Sequence, residues 1–138
     1  RRVHLLAGYG AVVLGAPIYY GSWHQDARNF LTKHASVLPQ RPVMVFALGP
    51  TGTGEDERRD SRSQLDKDLA KYPWLKPVDT VLFGGRFPAR LRFPDNLVAA
   101  LPASPMHGLP ASDVRDWTAI SDWAGSLAQK LPPMILRG

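Results

Sequence analysis

The chain has 138 residues, no cysteine and a formal net charge of +5 at pH 7. This length fits a single domain, and the absence of cysteine excludes disulfides, thiolate nucleophiles and cysteine-ligated metals. There is no apolar run long enough to span a membrane and no signal-peptide pattern, so we expect a cytoplasmic protein. The positive charge favours anionic partners, but no nucleic-acid-binding motif accompanies it, and we expect no nucleic-acid partner.

The first predicted element is a short strand over residues 11–14, where apolar side chains follow one another. Such a run predicts a strand that is buried on both faces and ends at Gly15. The loop predicted after it contains three aromatic residues within five positions, namely Tyr19, Tyr20 and Trp23. In α/β proteins, ligands bind at the edge of the sheet where the parallel strands end. Flat side chains in a loop at that edge favour a planar ligand. The alternative is that the aromatic residues only cap the end of the sheet.

A helix and a second strand follow. Apolar residues at steps of three and four over residues 26–38 predict an amphipathic helix that ends at Pro39. Residues 42–48 are a second continuous apolar run and predict a buried strand. The loop over residues 49–54 is rich in Gly and Thr, so its backbone N–H groups suit a phosphate. We favour an ordinary surface loop there, because the three acidic residues at 55–57 would repel a phosphate.

The second half of the chain continues this alternation. Residues 58–71 predict a short, mostly exposed helix, and residues 79–83 predict a third strand. Asp116 is a good N-cap for the last helix, whose apolar stripe from Trp117 to Leu131 predicts packing on the core. Strands that alternate with helices predict an α/β fold with a parallel sheet.

A basic segment separates the third strand from the last helix. Arg86, Arg90 and Arg92 alternate there with apolar and aromatic residues. This composition favours contact with an anionic membrane or an acidic aromatic substrate, and an ordinary basic loop is the alternative.

Conventional catalytic constellations are scarce in this sequence. The four histidines have no metal-ligand spacing, and no serine lies in a nucleophile-elbow pattern. His24 is the one histidine next to the aromatic loop. If the chain takes part in chemistry, we therefore expect a cofactor to supply it.

One stretch resembles a known family. The run Gly15-Ala16-Pro17-Ile18-Tyr19-Tyr20-Gly21-Ser22-Trp23-His24 and its flanks resemble the third strand, flavin-side loop and following helix of flavodoxin-like proteins. Within them it is most similar to the menaquinone-dependent protoporphyrinogen dehydrogenase branch. Phe83-Gly84-Gly85-Arg86-Phe87-Pro88 and Arg115-Asp116-Trp117 resemble the same branch.

The resemblance implies a flavodoxin-like parallel sheet with flanking helices, in the strand order 2-1-3-4-5, that holds FMN at the strand ends. It implies that one loop packs along the flavin ring and a second closes the other side. The implied contacts are Pro17, Ile18, Tyr19, Tyr20, Gly21, Ser22 and Trp23 in the first, and Gly49, Pro50, Thr51 and Gly52 in the second.

The implied function is an FMN-dependent oxidoreductase that passes electrons from a planar substrate through flavin to a quinone, as in heme biosynthesis. The loop over residues 49–54 contains no aromatic residue, which favours an enzyme with an open flavin face. A flavodoxin-type electron carrier and a flavin-free interaction domain of the same fold are the alternatives.

The family's first strand, first helix and phosphate loop have no counterpart in this sequence. We therefore expect a single domain over residues 1–138 that is incomplete on its N-terminal side, with residues 11–14 as an exposed apolar edge. The resemblance also suits contact of Arg86, Arg90 and Arg92 with a quinone-carrying membrane, at its inner face. A homodimer is a further expected assembly.

Overall fold

The computed structural model describes residues 6, 8–19, 21–87, 100–102 and 112–131, without the side chains of residues 19 and 87. The strands are β1 (Val12–Tyr19), β2 (Ser22–Trp23), β3 (Val43–Leu48), β4 (Asp79–Phe83), β5 (Arg86–Phe87) and β6 (Ser112–Asp113). The helices are α1 (Gln25–Lys33), α2 (Glu55–Leu69) and α3 (Trp117–Lys130), with a 3-10 turn over Leu38–Gln40.

The main sheet has the order β2-β1-β3-β4, and β1, β3 and β4 are parallel. These three strands are the ones that the sequence predicts from residues 11–14, 42–48 and 79–83, and α1 and α2 connect them. β2 pairs antiparallel with the end of β1, and β5 and β6 form a separate two-stranded sheet. The prediction of an α/β fold with a parallel sheet is confirmed. The loops after the parallel strands therefore meet at one edge of the sheet.

β1 is longer than the sequence predicts. It runs to Tyr19, so the first part of the predicted aromatic loop is strand. Gly15 and Pro17 mislead the prediction because both residue types favour turns. The Pro17 carbonyl oxygen accepts a hydrogen bond from the His24 N–H at 2.9 Å, on the side of β1 away from β3. The N–H that proline lacks would lie on that same side, so the ladder to β3 loses no bond.

One face of the sheet carries the main hydrophobic core. Alternate residues of the parallel strands point to this face and pack against apolar side chains of both α1 and α2. The strand residues are Val12, Leu14, Ala16, Ile18, Val43, Val45, Ala47 and Leu82, and the helix residues are Ala27, Leu31 and Leu65. α1 and α2 therefore cover the same face of the sheet.

The opposite face packs against α3. Trp123 of α3 contacts Phe46 and Phe83, with ring centroids 5.8 Å apart in each pair. Gly15 leaves room for the Phe46 ring, because a Cβ there would lie 1.9 Å from a ring carbon. On the same face of β1, however, Val13 is 45% exposed. The prediction that the first strand is buried on both faces is therefore wrong.

The first helix is shorter than predicted. α1 ends at Lys33, and the chain then turns into the 3-10 segment instead of remaining helical to Leu38. His34 forms the C-cap of α1 and is 6% exposed. Burial, and then the nearby charge of Lys33, lowers the pKa of His34, so its neutral form is favoured.

The last helix begins as predicted but packs differently. The Asp116 side chain caps α3 by accepting a hydrogen bond from the Ala119 N–H at 3.0 Å. None of the residues of α3 is fully buried, and Trp117 is 62% exposed. The predicted core position of Trp117 is therefore wrong. At the other side of the helix, Trp123 Nε1 donates to Asp79 at 2.8 Å and ties α3 to β4.

Candidate functional site

The candidate site lies at the edge of the sheet where β1 and β3 end. Pro17 near the end of β1 pairs with Leu48, the last residue of β3. The end of β1 and the loop after β3 therefore lie side by side. One segment, which we call the hairpin, comprises residues 17–23, where β1 turns into β2. The other, which we call the Thr51 loop, comprises residues 49–54 and leads into α2. These are the two segments in which the sequence predicts cofactor contacts.

The turn of the hairpin is tight. Tyr19 pairs with Ser22, which leaves two residues for the turn. Gly21 has φ +72°, a conformation that L side chains rarely adopt, so glycine is favoured there. A Cβ on Gly21 would lie 3.7 Å from the Gln64 side chain, which puts the turn beside α2. Tyr20 and the Tyr19 side chain lie outside the described residues.

Trp23 attaches the hairpin to the core. Its side chain is 0% exposed and belongs to the same cluster as Leu31 and Leu65. Its Nε1 donates a hydrogen bond to the Ala16 carbonyl oxygen at 2.9 Å. Stacking on a planar ligand requires an exposed ring face, so the stacking role predicted for Trp23 is corrected to a structural one.

A buried carboxylate of α2 holds the second strand of the hairpin. Asp68 is 4% exposed, and its Oδ2 accepts from the Trp23 N–H at 2.5 Å and from the Ser22 hydroxyl at 2.8 Å. Its Oδ1 accepts from the Lys71 ammonium group at 2.7 Å. Burial acts to raise the pKa of Asp68, but the hydrogen bonds from Lys71, Trp23 and Ser22 outweigh it and lower the pKa. The ionised carboxylate is therefore the form that holds the hairpin.

A second carboxylate of α2 binds the Thr51 loop. Glu57 Oε1 accepts from the Thr51 N–H at 2.8 Å and from the Gly52 N–H at 3.2 Å. Gly54, the N-cap of α2, has no side chain to accept such bonds, and Glu57 lies in the favourable first turn of the helix dipole. Both N–H groups are thus engaged by a negative charge of the chain itself. This contact supports the ordinary-loop interpretation over a phosphate site.

A third segment borders the Thr51 loop. The Gly85 N–H donates to the Pro50 carbonyl oxygen at 2.7 Å, and the Val114 N–H donates to the Gly85 carbonyl oxygen at 3.1 Å. A Cβ on Gly84 would lie 2.2 Å from the Val114 carbonyl oxygen, so only glycine fits there. The glycine pair after β4 therefore connects the Thr51 loop to the segment that enters α3.

An arginine and tryptophan cluster lies on this segment. Arg115 donates two side-chain hydrogen bonds to Asp113, at 2.8 and 2.5 Å, and its guanidinium carbon lies 5.0 Å from the centre of the Trp117 ring. The bonds from Arg115, with a smaller effect of Arg86, lower the pKa of Asp113 to about 2. Arg86 is exposed on β5 opposite Asp113. Of the other two predicted basic contacts, Arg90 and Arg92, both lie outside the described residues.

A surface cavity of about 520 Å³ lies along α2 and is open to solvent. It is lined by Arg59, Arg62, Ser63, Asp66 and Lys67 of α2 and by the C-cap residue Ala70. None of the predicted cofactor contacts lines it. Its basic side chains make it a place where an anion could bind nonspecifically, and it is a useful contrast to the candidate site.

Two residues that shape the site were missed in the sequence analysis. Glu57 lies three residues after the N-cap, a position from which glutamate often reaches back to N–H groups before a helix, so a local signal was present. Asp68 has no such signal, because Trp23 is 45 residues away in the sequence. On a helix rich in charged residues, its position looks exposed.

Comparison with known proteins gives one family match and several similar proteins. The family model described as "Flavodoxin domain" matches residues 2–95. The chain is also similar to proteins named protoporphyrinogen IX dehydrogenase [quinone] from three Escherichia coli strains: K12, O6:H1 (CFT073) and O157:H7. Each is 28% identical over 117 residues, which cover 83% of this chain and 63% of the relative, so the chain spans less than two thirds of their length. No solved structure matches the chain.

Proposed function

Because the chain belongs to the flavodoxin domain family, we propose that the hairpin and the Thr51 loop form the ring side of a flavin site that uses FMN. The observation that carries this proposal is the pairing of Pro17 with Leu48, which starts the two segments side by side on adjacent parallel strands. Ligands of open α/β sheets bind at this edge of the sheet, where the parallel strands end.

The groups of the Thr51 loop suit the flavin ring better than the phosphate. Thr51 and Gly52 have backbone N–H groups, which match the carbonyl oxygens and ring nitrogens of isoalloxazine. The first turn of α2 carries Glu55, Asp56 and Glu57, and their charges disfavour a phosphate dianion. We therefore assign this loop to the ring alone.

The residues of the chain position the ring and control access to it. FMN, when bound, supplies the electron transfer. Asp68 and Trp23 fix the hairpin, and the bond from Gly85 to Pro50 fixes the base of the Thr51 loop. Because the Thr51 loop has no aromatic side chain to cover the ring, a second planar molecule would have access from that side. This access favours an enzyme over an electron carrier.

We further propose that the whole protein oxidises a tetrapyrrole precursor to a planar porphyrin, with a quinone as the electron acceptor, in heme biosynthesis. The support is the similarity to the Escherichia coli proteins named protoporphyrinogen IX dehydrogenase [quinone]. In each two-electron step the donor loses two electrons and two protons, and the quinone gains them as it becomes a quinol.

The proposed location is the cytoplasm, at the inner face of a membrane that contains the quinone. The exposed side chain of Arg86, and the basic residues Arg90 and Arg92 that follow it in the sequence, would suit anionic lipid headgroups. In the ranges that the structure describes, no helix is long and apolar enough to cross a membrane.

An oxidation assay tests this function. We expect protein supplied with FMN to convert protoporphyrinogen IX to the fluorescent porphyrin in the absence of oxygen, and only when a soluble quinone is added. Free FMN at the same concentration is the control for uncatalysed oxidation. If the bound flavin exchanges electrons with redox proteins but the porphyrin does not form, the enzyme proposal is wrong and the carrier is favoured. A protein that retains no flavin would contradict both.

A further inference from the structure

The Glu57 carboxylate and a bound flavin ring would accept hydrogen bonds from the same two backbone N–H groups. Glu57 Oε1 accepts from the N–H groups of Thr51 and Gly52, at 2.8 and 3.2 Å, and lies 3.5 Å from the Thr51 hydroxyl. Hydrogen bonds from N–H groups to an ionised carboxylate are stronger than those to a neutral acceptor. A ligand that binds these N–H groups must therefore replace a strong internal acceptor.

The geometry also allows Glu57 to leave. Its side chain is exposed, whereas Thr51 and Gly52 are half-buried. A displaced carboxylate would enter water, where its charge is well solvated, and its release requires no movement of the α2 backbone. A Cβ on Gly52 would lie 2.6 Å from Glu57 Oε2, so the carboxylate occupies the space directly against the backbone of the loop.

We infer that Glu57 is an affinity-determining residue of the proposed flavin site, because its carboxylate competes with the ring for the N–H groups of Thr51 and Gly52. This inference rests on the proposed function. It assigns to Glu57 a role in which it weakens flavin binding, because it occupies the N–H groups of Thr51 and Gly52 when the ring is not bound. If Glu57 only held the loop in place, its loss would disorder the loop and weaken flavin binding.

Glu55 provides a matched control. It lies in the same first turn of α2, carries the same charge and is also exposed. In the part of the chain that the structure describes, no hydrogen bond joins it to the Thr51 loop. Glu55→Gln and Glu57→Gln therefore change the net charge equally, and any general attraction of the FMN phosphate changes equally in both. The difference between the two variants isolates the contact with the loop.

The test is a titration of wild type, Glu55→Gln and Glu57→Gln with FMN, followed by quenching of flavin fluorescence. We expect Glu57→Gln to bind FMN about tenfold more tightly than Glu55→Gln, since a neutral amide is the weaker competitor. The amide proton shifts of Thr51 and Gly52, recorded without FMN, should change in Glu57→Gln and stay as in wild type in Glu55→Gln.

The outcomes separate this inference from the proposed function. If all three proteins bind FMN and Glu57→Gln binds equally or more weakly than Glu55→Gln, competition is wrong while the flavin site stands. If Glu57→Gln binds more tightly but the amide shifts do not move, the gain does not come from the loop, and the inference is also overturned. If none of the three proteins binds FMN, both the proposed site and the competition are wrong.

Discussion

Replacing Asp68 with alanine is expected to lower the free energy of unfolding by about 3 kcal/mol at neutral pH. The substitution removes the acceptor of the buried Trp23 N–H and of the partly buried Ser22 hydroxyl. Most of the loss comes from these two donors, because Lys71 is 59% exposed and can return to water. Urea denaturation followed by circular dichroism measures the change.

Asp66 is the matched control for this substitution. It lies on the same helix, is 56% exposed and pairs with Arg62 across one helical turn. Asp66→Ala is expected to change the free energy of unfolding by less than about 1 kcal/mol. Equal losses in the two variants would contradict the assignment of Asp68 as the anchor of the hairpin.

The same substitution has an expected pH dependence. The pKa of Asp68 is lowered in the folded protein, so its contribution to stability is fully present above the ordinary aspartate pKa, about 3.9. That contribution is lost as the pH falls through the lowered pKa of the folded state. The difference in stability between wild type and Asp68→Ala should therefore shrink in the acid range. A difference that stays constant there would mean that the charge of Asp68 is not what stabilises the hairpin.

Replacing Trp23 with alanine is expected to be at least as damaging, at about 3–5 kcal/mol. Trp23 is fully buried, so its removal leaves a cavity between the hairpin and the helices and deletes the hydrogen bond to Ala16. Thermal or urea unfolding measures the loss. Trp23→Phe should fall between wild type and alanine, because it keeps most of the packing and loses the Nε1 donor.

Trp117 is the control that separates the loss of a buried tryptophan from the loss of an exposed one. Its ring is 62% exposed, and Arg115 lies 5.0 Å from its centre. Trp117→Ala is expected to lower the free energy of unfolding by less than about 1 kcal/mol. If Trp23→Ala were as mild as Trp117→Ala, the burial of Trp23 and the correction of its predicted role would both be wrong.

The sequence predicts the framework of this fold well because the framework depends on local patterns. A continuous apolar run identifies β3, residues 79–83 identify β4, and Asp116 identifies the start of α3 by a side-chain cap that the structure confirms. The extension of β1 through Pro17 could not be predicted, since it depends on which side of the strand faces β3. The pairing of β1 with β3 is a property of the whole sheet and cannot be read from the local sequence of β1.

The candidate site is predictable in position but not in its supporting contacts. The hairpin and the Thr51 loop follow adjacent parallel strands, and this follows from the α/β alternation alone. The sequence alone does not show that Trp23 is a core residue, because its burial depends on how the hairpin packs on the helices. Asp68 looks like one more charge on a charged helix until the fold brings Ser22 and Trp23 to it. Whether the chain is a single incomplete domain stays a prediction.

The most direct test of the flavin site is a titration of the chain with FMN, followed by the amide shifts of every residue. We expect the largest shifts at Gly21, Ser22, Gly49, Thr51 and Gly52, together with quenching of flavin fluorescence. Shifts confined to Arg59, Arg62 and Lys67 would show that FMN binds only the basic outer surface of α2. That result, or no shift at all, would mean that the hairpin and the Thr51 loop do not bind a flavin ring.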